Sequence, residues 1–387
     1  MRQGWIYKKL GEVTTTINGL WTGKNPPFIN VAVVRNTNFT KDCKLDMTNV
    51  AFLDVEQKQY NSRKLLPGDI IIEKSGGSDK QPVGRPVLFD IPDGEYSFSN
   101  FTSTLRINNT DEIIPKFLHY ALYGAYLRGE TYKLQSKTTG IHNLDFKGFN
   151  RLPIPIPSLF EQKSIVAELD KINELIGLKK SQLCDLDNFV QSLFHEMFGD
   201  PIENEKGWDV KKLGEVADFP SKRVDITDLT PFQYVGVENL IKNKGGVEFS
   251  ETLPNADKAI EFIPDDILIG NIRPYLRKIW ISNINGGASG DVIVIRKNIP
   301  AIIPIYLFKV LSTETFFEYD NANTHGAKMP RGDKKMVALF PIPLPPLQLQ
   351  QSFAKRIEAI EQQKTQIITT INDLETLLAS RMQYWFD

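Results

Sequence analysis

From residue 165 to residue 193 apolar side chains return in alternating steps of four and three: Ile165, Leu169, Ile172, Ile176, Leu183, Leu186, Val190 and Leu193, with Lys179 in the same register. The series recurs 188 residues later as Phe353, Ile357, Ile360, Ile367, Ile371, Leu374 and Leu378, with Lys364 and Arg381 the charged members. Alternating steps of this kind form the seam of a coiled coil. The pattern therefore predicts two long helices, one per half of the chain, packed on each other. Their ends are also written in. Ser158 and Glu161 have capping-box spacing, and Pro346 suits the first turn of the second helix. Phe-Gly-Asp-Pro at 198–201 stops the first helix with a glycine followed by a proline. A helix over 159–198 would be about 60 Å long. Gly177 inside it costs about 1 kcal/mol relative to alanine.

Ahead of each helix the period changes to short β-type runs between Gly, Pro and Asn. In the first half these are 29–34, 69–72, 86–89 and 103–107, followed by a helix over 115–128 with Pro115 in its first turn. In the second they are 266–269, 278–281 and 292–295, followed by a helix near 304–319. A proline ladder, at 153–157 and again at 341–346, leads stiffly into each long helix.

Landmarks repeat as well as periods. Gly4-Trp5 followed by Lys-Lys-Leu-Gly-Glu-Val at 8–13 returns as Gly207-Trp208 followed by the same six residues at 211–216. Leu-Pro-Gly-Asp-Ile at 66–70 is echoed by Ile-Pro-Asp-Asp-Ile at 263–267, and the Leu-Pro-Ile-Pro-Ile-Pro of 152–157 by Phe-Pro-Ile-Pro-Leu-Pro at 340–345. Residues between the landmarks share almost nothing. The fold expected is α/β (α+β): two similar mixed domains with twisted, largely antiparallel sheets, separated by two long helices in an antiparallel coiled coil, with a pseudo-two-fold internal repeat. The divisions fall at 1–157, 158–199, 200–345 and 346–387.

Composition adds limits. The formal net charge of −1 gives no global pull toward nucleic acid, so any DNA-binding charge must be local or supplied by a partner. Cys43 and Cys184 have no metal-ligand spacing, and the first residues lack the apolar core of a secretion signal, so a reducing cytoplasm is the expected location. No apolar run approaches the ~20 residues that span a bilayer.

The order and duplication of these motifs, together with the heptad spacing and the Asn-Ile-Arg-Pro run at 271–274, resemble the specificity subunits of type I restriction-modification systems. The resemblance covers essentially the whole chain. The second helix departs from the family's Glu-Gln lead-in, with Leu349-Gln350 in its place. The resemblance implies two target-recognition domains held apart by the helices, in a DNA reader that is not itself an enzyme.

The candidate catalytic motifs agree. Asn-Pro-Pro-Phe at 25–28 matches the tetrapeptide of adenine-N6 methyltransferases, but no glycine-rich strand–turn–helix for S-adenosylmethionine accompanies it. Asp69 with Glu73-Lys74 lacks nuclease spacing, and Gly270 stands where the second copy would need the glutamate. Gly19 to Lys24 lacks the spacing and Ser/Thr of a phosphate loop. His119, His142, His195 and His325 make no ligand set. Catalytic, cofactor and metal residues are therefore expected to be none.

DNA reading needs groove-reaching polar side chains and phosphate-facing cations. In the first domain the best stretch is 132–140 with His142: Lys133, Gln135, Ser136, Lys137 and Thr138, seconded by Lys74 and Ser75 beside two glycines. In the second domain Asn271, Arg273, Tyr275, Arg277 and Lys278 form a dense group, and Lys328, Arg331, Lys334 and Lys335 follow at the place of the first domain's basic loop. Lys222 and Arg223 are weaker candidates.

The resemblance further implies double-stranded DNA as target, read as an asymmetric bipartite site. It implies two methyltransferase subunits using S-adenosylmethionine on adenine, and an ATP-driven motor-nuclease subunit with Mg. This chain would carry none of these cofactors. The competing class is a scaffold joining two protein-binding domains through a coiled coil; steep loss of DNA affinity with salt would separate the two.

Overall fold

The structure, a computed structural model, describes residues 4–387 apart from 22, 24, 79, 80, 139, 140 and 327, with the backbone alone at 137 and 138. Two compact units divide it: Met1–Lys180 with Thr369–Asp387, and Ser181–Ile368. Each contains one mixed domain and half of each long helix.

In the first unit the central antiparallel sheet runs Thr14–Asn18, Thr102–Ile107, Asp69–Glu73, Pro86–Phe89. Successive strand residues point to opposite faces, so Ile70, Ile72 and Leu105 meet Phe117, Leu118 and Leu122 of the helix Pro115–Leu127. Ile71, Val87 and Phe89 meet Val34 and Phe98 on the other face. A second sheet joins Ala51–Glu56, Phe28–Val34 and, in parallel, Tyr96–Phe98.

The second unit repeats the plan. Ala217–Asp218, Val292–Lys297, Ile267–Gly270 and Ile279–Ile281 form the antiparallel sheet. Ile267, Ile269, Ile293 and Ile295 face Tyr306 and Leu307, whereas Leu268, Val292 and Val294 face Val235 and Phe262. The sheet of Arg223–Asp225, Lys258–Phe262, Gly286–Ala288 and Tyr234–Val235 ends, like its counterpart, in a parallel pair.

Two details differ from the sequence reading. Each domain holds several small sheets rather than one. The helix expected near 304–319 is two, Pro304–Val310 and Glu314–Ala322, because the Thr313 hydroxyl accepts the Phe316 N–H at 3.2 Å and starts a new helix. The proline ladders pair as strands with the repeated Lys-Lys landmarks: Pro153–Ile156 with Ile6–Lys9, and Pro341–Pro343 with Val210–Lys212. A two-stranded ribbon tolerates alternate prolines because alternate N–H groups face outward.

The long helices span Leu159–Phe198 and Leu347–Phe386, 40 residues each. The Ser158–Glu161 capping box is formed, with Ser158 N–H donating to Glu161 Oε2 at 3.1 Å and Glu161 N–H to Ser158 Oγ at 3.3 Å. Pro346 stands just before the helix, its carbonyl accepting from Leu349 at 2.9 Å, rather than within the first turn. Seam residues Ile165, Leu169, Ile172, Ile176, Val190, Leu193, Phe353, Ile357, Ile360, Ile367 and Ile371 are buried; Leu183, Leu186, Leu374 and Leu378 are half-buried. In the first unit Ile165 and Leu169 share a core with Leu378 and Met382; in the second Val190, Leu193 and Phe198 share one with Phe353, Ile357 and Ile360. The start of each helix thus packs on the end of the other, an antiparallel pair. Two charged seam positions are neutralised locally: Lys364 by Asp187 at 2.8 Å, and Arg381 by Glu168.

Candidate nucleic-acid interface

In the first domain the two stretches singled out from the sequence come together. Gln135–Thr138, Ile141–Leu144 and Ser75–Gly77 form a three-stranded antiparallel sheet. The N–H groups of Lys74 and Ser75 both donate to the carbonyl of Phe101, at 2.9 and 3.1 Å, and Ser75 Oγ donates to Asn143 Oδ1 at 2.6 Å. Lys133 and Ser136 are exposed. Gln135 is half-buried and accepts the Val83 N–H at 3.4 Å, so part of its hydrogen-bonding capacity faces inward. His142 is 5% exposed and corrects the sequence reading: it lies beneath the sheet, because strand alternation turns Ile141 outward and His142 in. The side chains of Lys137 and Thr138 lie outside the described residues, as do Thr139 and Gly140 of that stretch and Lys24.

The second domain makes the same join. Ile272 bridges Arg331 antiparallel; Arg273 N–H donates to Pro330 O at 2.8 Å and Gly332 N–H to Asn271 O at 3.0 Å. Arg331 also exchanges both backbone hydrogen bonds with His325, each 2.9 Å. Gly332 allows this approach, since a Cβ there would stand 2.7 Å from Asp320 Oδ1 and 2.8 Å from Asn271 Oδ1. Arg273, Tyr275, Lys328, Lys334 and Lys335 are exposed. Arg277 and Lys278 are drawn aside: Arg277 pairs with Glu314 at 2.7 Å, and the Lys278 ammonium donates to Val237 O at 2.5 Å, its pKa lowered by burial. Lys222 pairs with Glu261 at 2.7 Å, and exposed Arg223 begins a strand.

Residues with catalytic potential are held in structural pairs. Arg106 grips both oxygens of Asp69 at 2.9 and 2.7 Å, and Arg296 does the same to Asp266 at 2.8 and 2.7 Å. Glu73 is locked to Arg85 at 2.7 Å with both side chains almost wholly buried. His119 Nε2 lies 3.2 Å from Cys43 O and 3.3 Å from Pro86 O; burial lowers its pKa to about 4, so the neutral ring donates to a carbonyl. Burial pushes the Cys43 thiol up to about 12. His195 is on the helix surface, and His325 lies 3.2 Å from Asp333. Among the described residues no group of three His, Cys, Asp or Glu could hold a metal ion, and no helix is long and apolar enough to cross a membrane.

The paired, duplicated arrangement matches a known family over nearly all of its length. The family model for the type I restriction modification DNA specificity domain fits residues 2–186 and again 205–376. The chain belongs to this family of DNA specificity subunits. It is 22% identical over 381 residues to a Methanocaldococcus jannaschii protein assigned as the MjaX specificity subunit of a type I restriction enzyme, covering 93% of this chain and 87% of that one. Over 187 residues it is 30% identical to the StySPI specificity subunit of Salmonella potsdam, spanning 47% of this chain and 39% of that one. A chain solved in a structural study of assembly and conformational transition in the type I R-M system shares the fold, with a TM-score of 0.58, 19% identity and coverage of 100% of this chain and 98% of that chain.

Sequence reasoning about this specificity subunit passed over Phe101, Asn143 and Asp291. The carbonyls of Phe101 and Asp291 accept from Lys74 and Asn271 in the same way, each at 2.9 Å, just before paired strand residues Thr102 and Val292. Aligning the two copies on those strands would have exposed the pair.

Proposed function

We propose that each domain reads one half of an asymmetric, two-part DNA site and that the helix pair sets the spacing between halves. The observation that carries this is the repeated junction. In both copies the segment after the central strand pairs with the segment after the domain helix, yet the facing side chains are unlike: Ser75 opposite Asn143 in one, Ile272 opposite Arg331 in the other. Equivalent scaffolds with different polar faces suit two different half-sites, whereas two identical readers demand a palindrome.

The chain acts without its own catalytic centre. Methyltransferase subunits, two per chain, use S-adenosylmethionine on adenine, and an ATP- and Mg-dependent motor-nuclease joins for cleavage. Large apolar side chains on the outer helix surfaces support docking of such subunits, since Phe160, Leu178 and Phe189 are 82%, 58% and 54% exposed. The near-neutral charge suits a reader whose partners help clamp the duplex.

A methylation map of the host genome with and without this gene tests the reading. Loss of an adenine-methylated, asymmetric, two-part motif is expected. If the assembled complex binds duplex with no sequence preference and no salt dependence, a protein-binding scaffold takes its place.

A further inference from the structure

We infer that Arg331 reads a guanine in the second half-site and that Asp291 positions it for that task. The inference rests on the DNA-reading function proposed above and names the base contact within it.

Arg331 is the centre of the second domain's junction. Its backbone is held on one side by two hydrogen bonds to His325 and on the other by the bridge to Ile272, with Pro330 and Gly332 bonded to Arg273 and Asn271. The side chain leaves this braced ribbon 55% exposed, and Nη1 stands 3.2 Å from Asp291 Oδ1. Asp291 belongs to the same platform, because its carbonyl accepts the Asn271 N–H at 2.9 Å.

A carboxylate beside an arginine separates base reading from phosphate binding. Next to a phosphate, the Asp291 charge would repel the backbone and cancel much of the attraction of Arg331. Against a base edge the same carboxylate costs little and removes the rotational freedom that a long side chain otherwise loses on binding. Arg has five N–H donors in a planar fork, so an ion pair at one nitrogen leaves donors for a partner. A donor-only group needs acceptors, and guanine presents two adjacent ones, N7 and O6, in the major groove. Lys334 and Lys335, exposed on the next helical turn, are placed for phosphates instead.

The first domain has the same frame with different chemistry. Phe101 occupies the place of Asp291 and is 43% exposed, so no carboxylate stands there to orient a cation. The contact thus belongs to the second half-site alone, which supplies an internal control.

The test uses the specificity subunit assembled with its methyltransferase partner, and duplexes in which each base pair of the two-part site is varied in turn. Arg331→Ala is expected to lose about 10- to 100-fold discrimination at one G·C pair of the second half-site. Preference at every first-half position and the slope of affinity against salt should stay unchanged. Arg331→Lys should keep part of the discrimination, and Asp291→Asn should weaken it at that same pair. A uniform loss across all duplexes, with a salt slope smaller by about one, would make Arg331 a phosphate contact and overturn the inference. So would an Arg331→Ala complex that binds every duplex as the unaltered one does. If the unaltered complex shows no two-part preference, the DNA-reading function itself fails, and the inference with it.

Discussion

Gln350 and Ile303 are joined by a partly buried hydrogen bond, the Ile303 N–H donating to Gln350 Oε1 at 3.0 Å, while Gln350 Nε2 donates to the carbonyls of Ala301 and Pro345, both at 2.9 Å. Gln162, 188 residues earlier, does the same for Ile114, Glu112 and Pro157, each at 2.9 Å. Both glutamines are 0% exposed. Each ties its domain helix to the start of a long helix, and the change from Glu161 to Leu349 beside them leaves that tie intact. Gln350→Ala removes the side-chain partner of three backbone groups, the buried Pro345 carbonyl among them. It should destabilise its unit by roughly 3 kcal/mol, with Gln350→Leu no better, read from the urea midpoint of that unit's transition.

Glu73 and Arg85 form the most deeply buried ion pair among the described residues of the first domain, with Arg85 also donating to Phe39 O at 3.1 Å. Removing one partner leaves an uncompensated buried charge. Glu73→Ala should cost about 3–5 kcal/mol, and the double change to Glu73→Met with Arg85→Leu should cost much less. Denaturant unfolding of the single and double variants checks this; equal losses would contradict it.

Asp320 is 1% exposed, and among the described residues its Oδ1 has no hydrogen-bond partner. Burial raises its pKa from 3.8 to about 6. A carboxyl raised on folding binds more protons in the folded state, so its stability contribution is fully present below about pH 4 and is lost as pH rises through about 6. Asp320→Asn should therefore be more stable than the parent at pH 8, by up to about 3 kcal/mol, with the advantage vanishing near pH 4. Thermal unfolding of both proteins across that range reads the difference; a constant gap would exclude the cause.

Phe353 lies under 6 Å from two aromatic partners, its ring centroid 5.8 Å from that of Phe194 and 5.2 Å from that of Phe198. Phe353→Ala should cost about 3–5 kcal/mol through the cavity it leaves. Phe160→Ala, at a position 82% exposed, should change stability by less than about 0.5 kcal/mol. Comparing the two by denaturation separates seam from outer surface, and the Phe160 variant should show its defect only in capture of the proposed methyltransferase partner.

Much of this architecture is legible in the residue order, because helix and strand periods are local. The 4-3 spacing revealed both long helices, the capping box, Pro346 and the Gly-Pro stop gave their bounds to within a residue, and the runs at 69–72, 86–89 and 292–295 are strands of the central sheets. The break at Thr313 was not legible from apolar spacing; its signal was a capping threonine inside an otherwise helical stretch.

The candidate interface divides in the same way. Residue order shows which segments carry polar and basic groups, and that they recur at matching places in two copies. Which of those groups reach outward depends on how the folded chain packs around them. Packing of the Ile141–Leu144 strand buried His142, Glu314 and the Val237 carbonyl drew Arg277 and Lys278 aside, and Asp291, forty residues from Arg331, came to stand beside its guanidinium. Periodicity is set by neighbours along the chain. Orientation and charge pairing are set by neighbours in space, which the order of residues does not state.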